Sequence, residues 1–222
     1  MKKPVIAIDG YSSTGKSSIS KVLAKELGFI HIDTGALYRG ITLFALRNIA
    51  DEGRISNPQK LKDYLHEIHL EFRTIDGSLQ LFLNNENIDQ QIRDPQIAKY
   101  VSIIAKEQFV RDFLLSTQQK LAENGGVIMD GRDIGTVVLP NADYKFFLTA
   151  SIDERTRRRY DELICCGTET DMDSVRVNLQ LRDKIDSERE VAPLKQAEDA
   201  ILIDNTSLNK EETIALIRSF IK

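Results

Sequence analysis

Short apolar runs alternate with helical patterns along the chain, and this alternation predicts the fold. The first run, Pro4 to Asp9, is rich in Val and Ile, as in a buried parallel strand. Apolar residues then recur at helical spacing from Ile19 to Leu27, and Gly28 stands where a helix would end. A second strand is predicted over Phe29 to Asp33. Strand, glycine loop, helix and strand is the order of a βαβ unit with parallel strands.

The rest of the chain predicts three more core strands, an inserted hairpin and further helices. The core strands are expected at 127–130, 144–148 and 200–203, and the helices at 37–49, 95–123, 151–164, 173–189 and 209–221. Alternating apolar residues on either side of Asp76-Gly77 predict a β-hairpin in an insert at 63–93. Ser151 and Glu154 have the spacing of a helix capping box. We expect an α/β fold with a five-stranded parallel sheet and helices on both faces.

The segment between the first strand and the first helix carries a phosphate-binding motif. It fits the P-loop pattern G-x-x-x-x-G-K-[ST], and its glycines let backbone N–H groups approach a phosphate at the positive end of the following helix. Lys16 would reach the β- and γ-phosphates of ATP, and the Ser17 hydroxyl would ligate Mg²⁺. The predicted ATP-binding residues are Gly10, Tyr11, Ser12, Ser13, Thr14, Gly15, Lys16, Ser17 and Ser18.

Two carboxylates are candidates for the metal side of this motif. A magnesium-shell carboxylate is expected at the end of a neighbouring strand, and Asp130 and Asp33 both end predicted strands. Each of them could instead cap a turn. We predict that Asp130 belongs to the magnesium shell, usually through water, and keep Asp33 as the alternative.

The positions of the arginines distinguish between the possible classes of P-loop protein. The GTPase signature N-K-x-D is absent, because Asn209-Lys210 is followed by two glutamates. Arg39 and Arg132 follow predicted strands, and Arg182 and Arg189 share a helix face with Asp186. Guanidinium forks suit phosphate oxygens and the charge of a phosphoryl group in transfer. This distribution favours a kinase with a phosphorylated acceptor over a nucleotide-dependent switch or scaffold.

Length, composition and charge limit the number of domains, the binding partners and the location that can be expected. The chain has 222 residues, of which 41% are hydrophobic, which is long enough for one domain with inserted subdomains. A net charge of −4 argues against general nucleic-acid binding, and no apolar stretch is long enough for a membrane span. The two cysteines, Cys165 and Cys166, are adjacent, so a reduced cytoplasmic location is expected. Nothing indicates a coiled coil or repeat, and we expect a monomer that binds small molecules only.

Several longer segments resemble one family, the bacterial-type cytidylate kinases. The matching segments are Ile8-Asp9-Gly10 with the P-loop, 33–39 (DTGALYR), Ile92-Arg93, 130–138 (DGRDIGTVV) and 189–194 (REVAPL). The resemblance implies a nucleoside monophosphate kinase-like P-loop core in a single domain, 1–222. It also implies a monophosphate-binding insert at about 40–100 and a short helical lid at about 153–170. Tyr11 departs from the proline usual in this family, and Ser17 from a frequent glycine.

The same resemblance implies the reaction and the residues of the acceptor site. ATP would donate its γ-phosphoryl group to CMP or dCMP with Mg²⁺. The residues implied to bind CMP are Thr34, Arg39, Arg93, Ser102, Arg111, Arg132, Asp133, Arg182 and Asp186. Those implied to act on the phosphoryl group in transfer are Lys16, Arg132, Arg158 and Arg189.

Within this set, different residues would contact different parts of the nucleotide. Arg39 and Arg132, with Thr34, would hold the phosphate, and Arg182 and Asp186 would contact the sugar.

The base would be read by Ser102, Arg111 and Asp133. Cytosine presents an amine donor and a carbonyl acceptor, which a carboxylate and an arginine complement. Uracil reverses that edge, so the site would reject it.

Ordinary structural explanations exist for several of these residues. Ser102 could bond its own helix backbone, and Arg111 with Asp112 could be a solvated pair. The dense basic cluster 155–159 could be a solvated helix face, or a lid whose arginines, Arg158 among them, close over ATP and expel water. A kinase for UMP or AMP is the nearest rival function.

Overall fold

The computed structural model describes residues 3–75 and 78–221, which form two compact units. The first unit comprises Met1–His31 and Ala122–Lys222, and the second comprises Ile32–Leu121. The predicted turn at Asp76-Gly77 lies outside the described residues.

Strands and helices follow in chain order. The strands are β1 (Val5–Gly10), β2 (Ile30–Asp33), β3 (Leu70–Ile75), β4 (Ser78–Leu83), β5 (Glu86–Asn87), β6 (Val127–Gly131), β7 (Tyr144–Thr149) and β8 (Ile201–Asp204). The helices are α1 (Lys16–Leu27), α2 (Thr34–Asn48), α3 (Pro95–Ala105), α4 (Gln108–Ala122), α5 (Ile152–Cys165), α6 (Met172–Glu188) and α7 (Lys210–Ser219). Short 3₁₀ segments cover Pro58–Glu67 and Gln91–Arg93, and Ile134–Val138 is a single π-helical turn.

A five-stranded sheet in the order β2-β6-β1-β7-β8 confirms the predicted α/β fold. Strand β1 pairs in parallel with β6 and β7, and β7 pairs in parallel with β8. The register sets Ile8 opposite Asp130 and Asp9 opposite Gly131. Because parallel strands end at the same edge, the P-loop after β1 and the residues after β6 begin side by side.

Apolar packing on the sheet holds the first unit together. Ile19 and Leu23 of α1 and Ile214 and Ile217 of α7 join the sheet residues in one buried cluster. Side chains alternate between the faces of a strand, and Ala7 of β1, which points to the other face from Ile6 and Ile8, is buried as well. Both faces of the central strand are therefore covered, as the continuous apolar run predicts.

The second unit contains the predicted hairpin and a separate core. Strands β3 and β4 pair antiparallel from Leu70 opposite Leu83 to Ile75 opposite Ser78, and β5 adds a short third strand. The core unites apolar residues of α2, α3 and the hairpin. Gly40 of α2 is needed for this packing, since a Cβ there would lie 2.9 Å from Leu70 Cδ2.

Two details differ from the expectations. The predicted helix at 95–123 is two helices, α3 and α4, although no Gly or Pro marks the break. The capping box at Ser151 forms only in half. Ser151 Oγ accepts a hydrogen bond from Glu154 N at 3.2 Å, but the Glu154 carboxylate pairs with Arg157 and Arg158 instead of capping the helix.

No helix within residues 3–75 and 78–221 has the length and apolar character of a membrane span.

Candidate active site

The glycine loop after β1 depends on two backbone conformations that favour glycine. Gly10 has φ 146°, and a Cβ on it would lie 2.0 Å from the Leu148 carbonyl oxygen. Gly15 has φ 85° and stands directly before α1. The loop therefore passes closely over β7 and then turns into the positive end of a helix. This is the geometry that holds a phosphate group.

Lys16 is buried at the start of α1 and turns back onto the loop. Its ammonium donates hydrogen bonds to the Tyr11 carbonyl at 2.5 Å and to Thr14 Oγ1 at 3.5 Å. Because its exposed fraction is only 6%, the ammonium is held next to the loop rather than in solvent. It lies where a phosphate bound by the loop would meet it.

The electrostatic surroundings of Lys16 disfavour its charge before any nucleotide is bound. Burial lowers the pKa of Lys16 well below its ordinary value, and the Arg132 guanidinium lowers it further. The carboxylates of Asp130, Asp9 and Asp186 raise the pKa and offset part of this effect. An anion placed here would relieve the repulsion between the two cations.

Ser17 and Asp130 are the residues predicted to hold magnesium. Ser17 is exposed in the first turn of α1, whereas Asp130 is buried at the end of β6. Among residues 3–75 and 78–221 no three His, Cys, Asp or Glu side chains group as a metal site. A hydroxyl and one carboxylate fit Mg²⁺, which proteins usually bind through one or two side chains together with substrate phosphates.

His31 contacts this carboxylate directly. His31 Nε2 lies 2.6 Å from Asp130 Oδ1, and both side chains are largely buried. No sequence pattern marks this contact, because it joins residues 99 positions apart. His31 therefore orients one of the two predicted magnesium ligands.

Arg132 bridges the P-loop and helix α6. Its Nη2 donates to Ser12 Oγ at 2.8 Å, and its Nε donates to Asp186 Oδ2 at 3.1 Å. Asp186 is 4% exposed, so its charge is held largely by Arg132. The structure thus brings together three residues that the sequence places in the active site.

Asp133 and Arg189 form the next pair. Arg189 Nη2 lies 3.6 Å from Asp133 Oδ1, and both side chains are buried. Arg189 directly follows α6, and its Nε donates to the Ala192 carbonyl at 2.7 Å. Arg182 lies further back on the same helix and is partly buried. Residues from the DGRD and REVAPL segments therefore meet within the first unit.

The arginines of α5 differ in their contacts. Arg158, predicted to contact ATP, donates to the carbonyls of Asn205 at 2.8 Å and Leu208 at 3.2 Å. Asn205 in turn donates from Nδ2 to the Thr14 carbonyl of the P-loop at 2.9 Å. Arg158 therefore supports the loop through Asn205, a residue that the sequence analysis missed.

Arg155 reaches the P-loop directly. Its Nη1 donates to the Ser12 carbonyl at 3.3 Å and to Asp183 Oδ2 at 2.5 Å, and its guanidinium lies 5.1 Å from the centre of the Tyr11 ring. The Tyr11 ring also meets Phe147 edge to face, with 5.9 Å between centres. Tyr11 is thus packed between a cation and a ring of β7 and is well supported without proline.

In the second unit, Asp33 takes the capping role that was its alternative. Its Oδ1 accepts a hydrogen bond from Ala36 N at 3.2 Å at the start of α2, and its Oδ2 accepts one from Arg39 Nη2 at 2.7 Å. Arg39 is thereby held beside Thr34, which is buried in the first turn of α2. Arg93 is exposed and pairs with Asp89 at 3.2 Å.

Ser102 and Arg111 are both buried in the second unit. Arg111 Nη1 donates to the Ala105 carbonyl at 3.0 Å, and the guanidinium lies 5.4 Å from the centre of the Tyr38 ring. Asp112 is exposed and accepts a hydrogen bond from Gln108, so the alternative of a solvated Arg111–Asp112 pair is wrong. A buried arginine on an aromatic ring is pre-positioned for a ligand.

Known proteins with similar sequences belong to one family. The sequence model of the family described as cytidylate kinase matches residues 6–222. The chain is 46% identical over 220 residues to a cytidylate kinase of Bacillus cytotoxicus, covering 99% of this chain and 96% of that protein. It is 44% identical over 220 residues to a cytidylate kinase of Bacillus cereus, with 99% and 96% covered.

Among solved structures, an uncharacterized protein from Eubacterium ventriosum aligns with a TM-score of 0.52 at 13% identity. The alignment covers 99% of this chain and 98% of that chain. At this identity the likeness concerns the fold alone. The match of the family model over nearly the whole chain and the identity to the Bacillus proteins settle the family: this chain belongs to the cytidylate kinases.

Proposed function

We propose that this chain transfers the γ-phosphoryl group of ATP to CMP or dCMP and releases ADP with CDP or dCDP. The observation that carries the proposal is the grouping of Lys16, Arg132 and Arg189 in the first unit. Each of the two arginines lies next to a buried carboxylate that holds it in place, Arg132 beside Asp186 and Arg189 beside Asp133. Such fixed cations suit the charge on a phosphoryl group in transfer.

The donor side is assigned to the P-loop, residues 10–18. Its backbone N–H groups and the start of α1 would bind the phosphates of ATP, and Lys16 would contact the β- and γ-phosphates. Magnesium, held by Ser17 and Asp130 together with the nucleotide, would neutralise phosphate charge when bound. Arg158 is assigned to the ATP phosphates in the proposal, in addition to the support that it gives the loop through Asn205.

Five residues of the second unit are proposed to bind the acceptor CMP. In the second unit, Thr34, Arg39 and Arg93 would contact the phosphate, and Ser102 and Arg111 the base. Arg111 donates to the Ala105 carbonyl at 3.0 Å, and this contact orients its guanidinium.

In the first unit, Arg132 would contact the acceptor phosphate, and Arg182 and Asp186 the sugar. Asp133 would accept a hydrogen bond from the cytosine amine, which uracil lacks. Arg189 would contact the phosphoryl group as it moves.

No strong general base is required for this reaction. The second pKa of a phosphate monoester is about 6, so the attacking oxygen of CMP is already anionic near neutral pH. The residues therefore act by placing two phosphates in line and by balancing their charge. Lys16 and the arginines supply that balance where solvent is largely excluded, which strengthens each interaction.

A panel of acceptors tests the proposal. ADP release from Mg-ATP is measured with CMP, dCMP, UMP and AMP, for the unaltered chain and for Asp133→Asn. We expect CMP and dCMP to stimulate release, and Asp133→Asn to reduce the preference for CMP over UMP by about 100-fold or more, because a site built on a hydrogen bond rejects analogues strongly. The matched control is Asp112→Asn, an exposed carboxylate that should leave the preference unchanged.

Two outcomes would contradict the proposal. A nucleotide-dependent switch would release ADP at the same rate with and without CMP. A kinase for another base would respond most strongly to UMP or AMP. The proposal also keeps the expectation of a monomeric cytoplasmic enzyme that binds neither nucleic acid nor membranes.

A further inference from the structure

Asp9, the last residue before the P-loop, carries a buried carboxylate that has no role in the proposed mechanism. Its Oδ1 accepts a hydrogen bond from Ile134 N at 2.8 Å, and its Oδ2 accepts one from Gly135 N at 2.7 Å. Only 4% of the residue is exposed. One side chain at the end of β1 thus binds two successive backbone amides of the segment that follows β6.

A buried charge at this position lowers the stability of the folded chain. Burial raises the pKa of Asp9 from 3.8 to about 7, with a smaller contribution from the charge of Asp133, although the two amides and Lys16 lower it. A buried carboxylate often stabilises a fold less than an apolar residue of similar size would. We therefore expect the role of this carboxylate to concern the segment that it binds.

That segment is a single π-helical turn, Ile134–Val138, directly after Asp133. Such turns are rare and are found frequently at functional sites. The amides of Val137 and Val138 donate to the Asp133 carbonyl at 2.9 and 3.2 Å. The backbone of Asp133 is thus fixed by the turn through its own carbonyl and by Asp9 through the next two amides.

The packing leaves this turn little room to move. A Cβ on Gly135 would lie 3.1 Å from Lys145 Cδ and 3.4 Å from Asp9 Oδ2. Lys145 on the other side is anchored by Asp199 and by the Pro140 carbonyl. The turn is therefore pressed against β1 at the point where Asp9 binds it.

We propose that Asp9 is a positioning residue for acceptor recognition, which holds the turn at Ile134 and Gly135 and so fixes the Asp133 side chain relative to the P-loop. The inference rests on the proposed function, because it assigns the reading of cytosine to Asp133. No nucleotide contact is assigned to Asp9 itself. Through the two hydrogen bonds that its carboxylate accepts, Asp9 links the loop that binds the donor to the residue that selects the acceptor.

The test is the variant Asp9→Asn. A carboxamide offers one acceptor oxygen and turns an NH₂ group toward the second amide, so one of the two hydrogen bonds is lost. We expect KM for CMP to rise about 10-fold and the preference for CMP over UMP to fall by a similar factor, since small displacements of a contact residue have effects of this order. KM for ATP should change much less.

The control is Lys145→Met, which removes the ion pair of a buried lysine with an exposed aspartate next to the same turn. Lys145 has no assigned contact to a nucleotide, so any loss of folded protein should lower activity with every acceptor equally. The CMP preference of this variant should match that of the unaltered chain. If Lys145→Met lowers the preference as much as Asp9→Asn does, the effect is general loosening and the inference is overturned.

The outcomes separate the inference from the proposed function. If the unaltered chain shows no preference for CMP, the proposed function fails. If it prefers CMP and folded Asp9→Asn keeps the same KM for CMP and the same preference, the inference alone fails.

If Asp9→Asn does not fold, amide hydrogen exchange of the unaltered chain tests the inference instead. CMP should then slow exchange at Ile134 and Gly135, and unchanged exchange at both amides would overturn the inference.

Discussion

The two units bury very different amounts of charge. Within the described residues, the first unit buries the charged side chains Asp9, Lys16, Asp130, Asp133, Lys145, Arg155, Asp186 and Arg189, whereas the second buries Arg111 alone. The core of the second unit is otherwise a large apolar cluster. Burying a charge costs stability unless it is paired and hydrogen-bonded. The first unit therefore holds charges in fixed places, and their burial lowers its stability. The second unit is stabilised mainly by apolar packing.

The largest effect that would test this comparison is expected from Lys16→Met. Methionine keeps the length of the side chain and removes the ammonium, so the loop should keep its fold while losing its contact to the phosphates. We expect kcat to fall by about 10²–10³, the usual result of losing one preorganised charge contact. The free energy of unfolding should stay the same or rise, because a buried cation next to Arg132 is removed. Steady-state kinetics and urea unfolding measure both quantities.

The matched control lies in the second unit. Ile88 is fully buried in its core, and Ile88→Val should lower the free energy of unfolding by about 0.5–1.5 kcal/mol. Its kcat and KM should not change. A strong loss of stability in Lys16→Met together with a loss of kcat in Ile88→Val would remove the distinction between the units.

A second, smaller effect is expected within one helix. Arg155→Met removes the hydrogen bonds of a buried guanidinium to the Ser12 carbonyl and to Asp183. Hydrogen bonds to charged groups contribute about 1.5–3 kcal/mol, and we expect a loss of stability of that order. Because Arg155 supports the P-loop, KM for ATP should rise as well, and KM for CMP should change less.

Arg157, two residues along α5, provides the comparison. It is exposed and pairs only with Glu154 and Asp161 of its own helix among the described contacts. Arg157→Met should leave stability and KM for ATP unchanged. Equal effects of the two variants would mean that burial of Arg155 against the loop has no consequence.

The contrast between these two arginines also shows how far the sequence could predict the site. Helical spacing places Arg155 and Arg158 on one face, but spacing does not indicate which guanidinium turns inward onto the P-loop. The contact of Asn205 with Thr14 joins residues 191 positions apart, and no local pattern marks it. By contrast, the P-loop could be predicted because its chemistry depends on residues adjacent in sequence.

The fold likewise contains some features that the sequence predicts and others that it does not. Each core strand was predicted to within about one residue from its apolar run, since burial on both faces leaves a local signal. The break between α3 and α4 and the π-helical turn after Asp133 left no such signal. The turn is held by a hydrogen bond that Ile134 N donates to Asp9 Oδ1 across 125 positions, so only the folded chain shows it.

The effect that is smallest per pH unit is a dependence of stability on pH that arises in the first unit. The folded-state pKa of Asp9 is raised from 3.8 to about 7, chiefly by burial, so the folded chain holds this proton more tightly than the unfolded chain does. The contribution of Asp9 to stability must then fall as pH rises from about 4 to about 7, by at most about 1.4 kcal/mol per pH unit, and level off above.

Asn at this position cannot titrate, so the comparison of Asp9→Asn with the unaltered chain isolates the effect. Urea unfolding between about pH 5 and about pH 8 should show Asp9→Asn gaining stability relative to the unaltered chain up to about pH 7. Asp112→Asn, an exposed carboxylate of the second unit, should give a curve parallel to the unaltered chain. Parallel curves for Asp9→Asn as well would mean that this carboxyl group titrates alike in the folded and unfolded chain. The cost of its burial would then be balanced by the two amides together with Lys16.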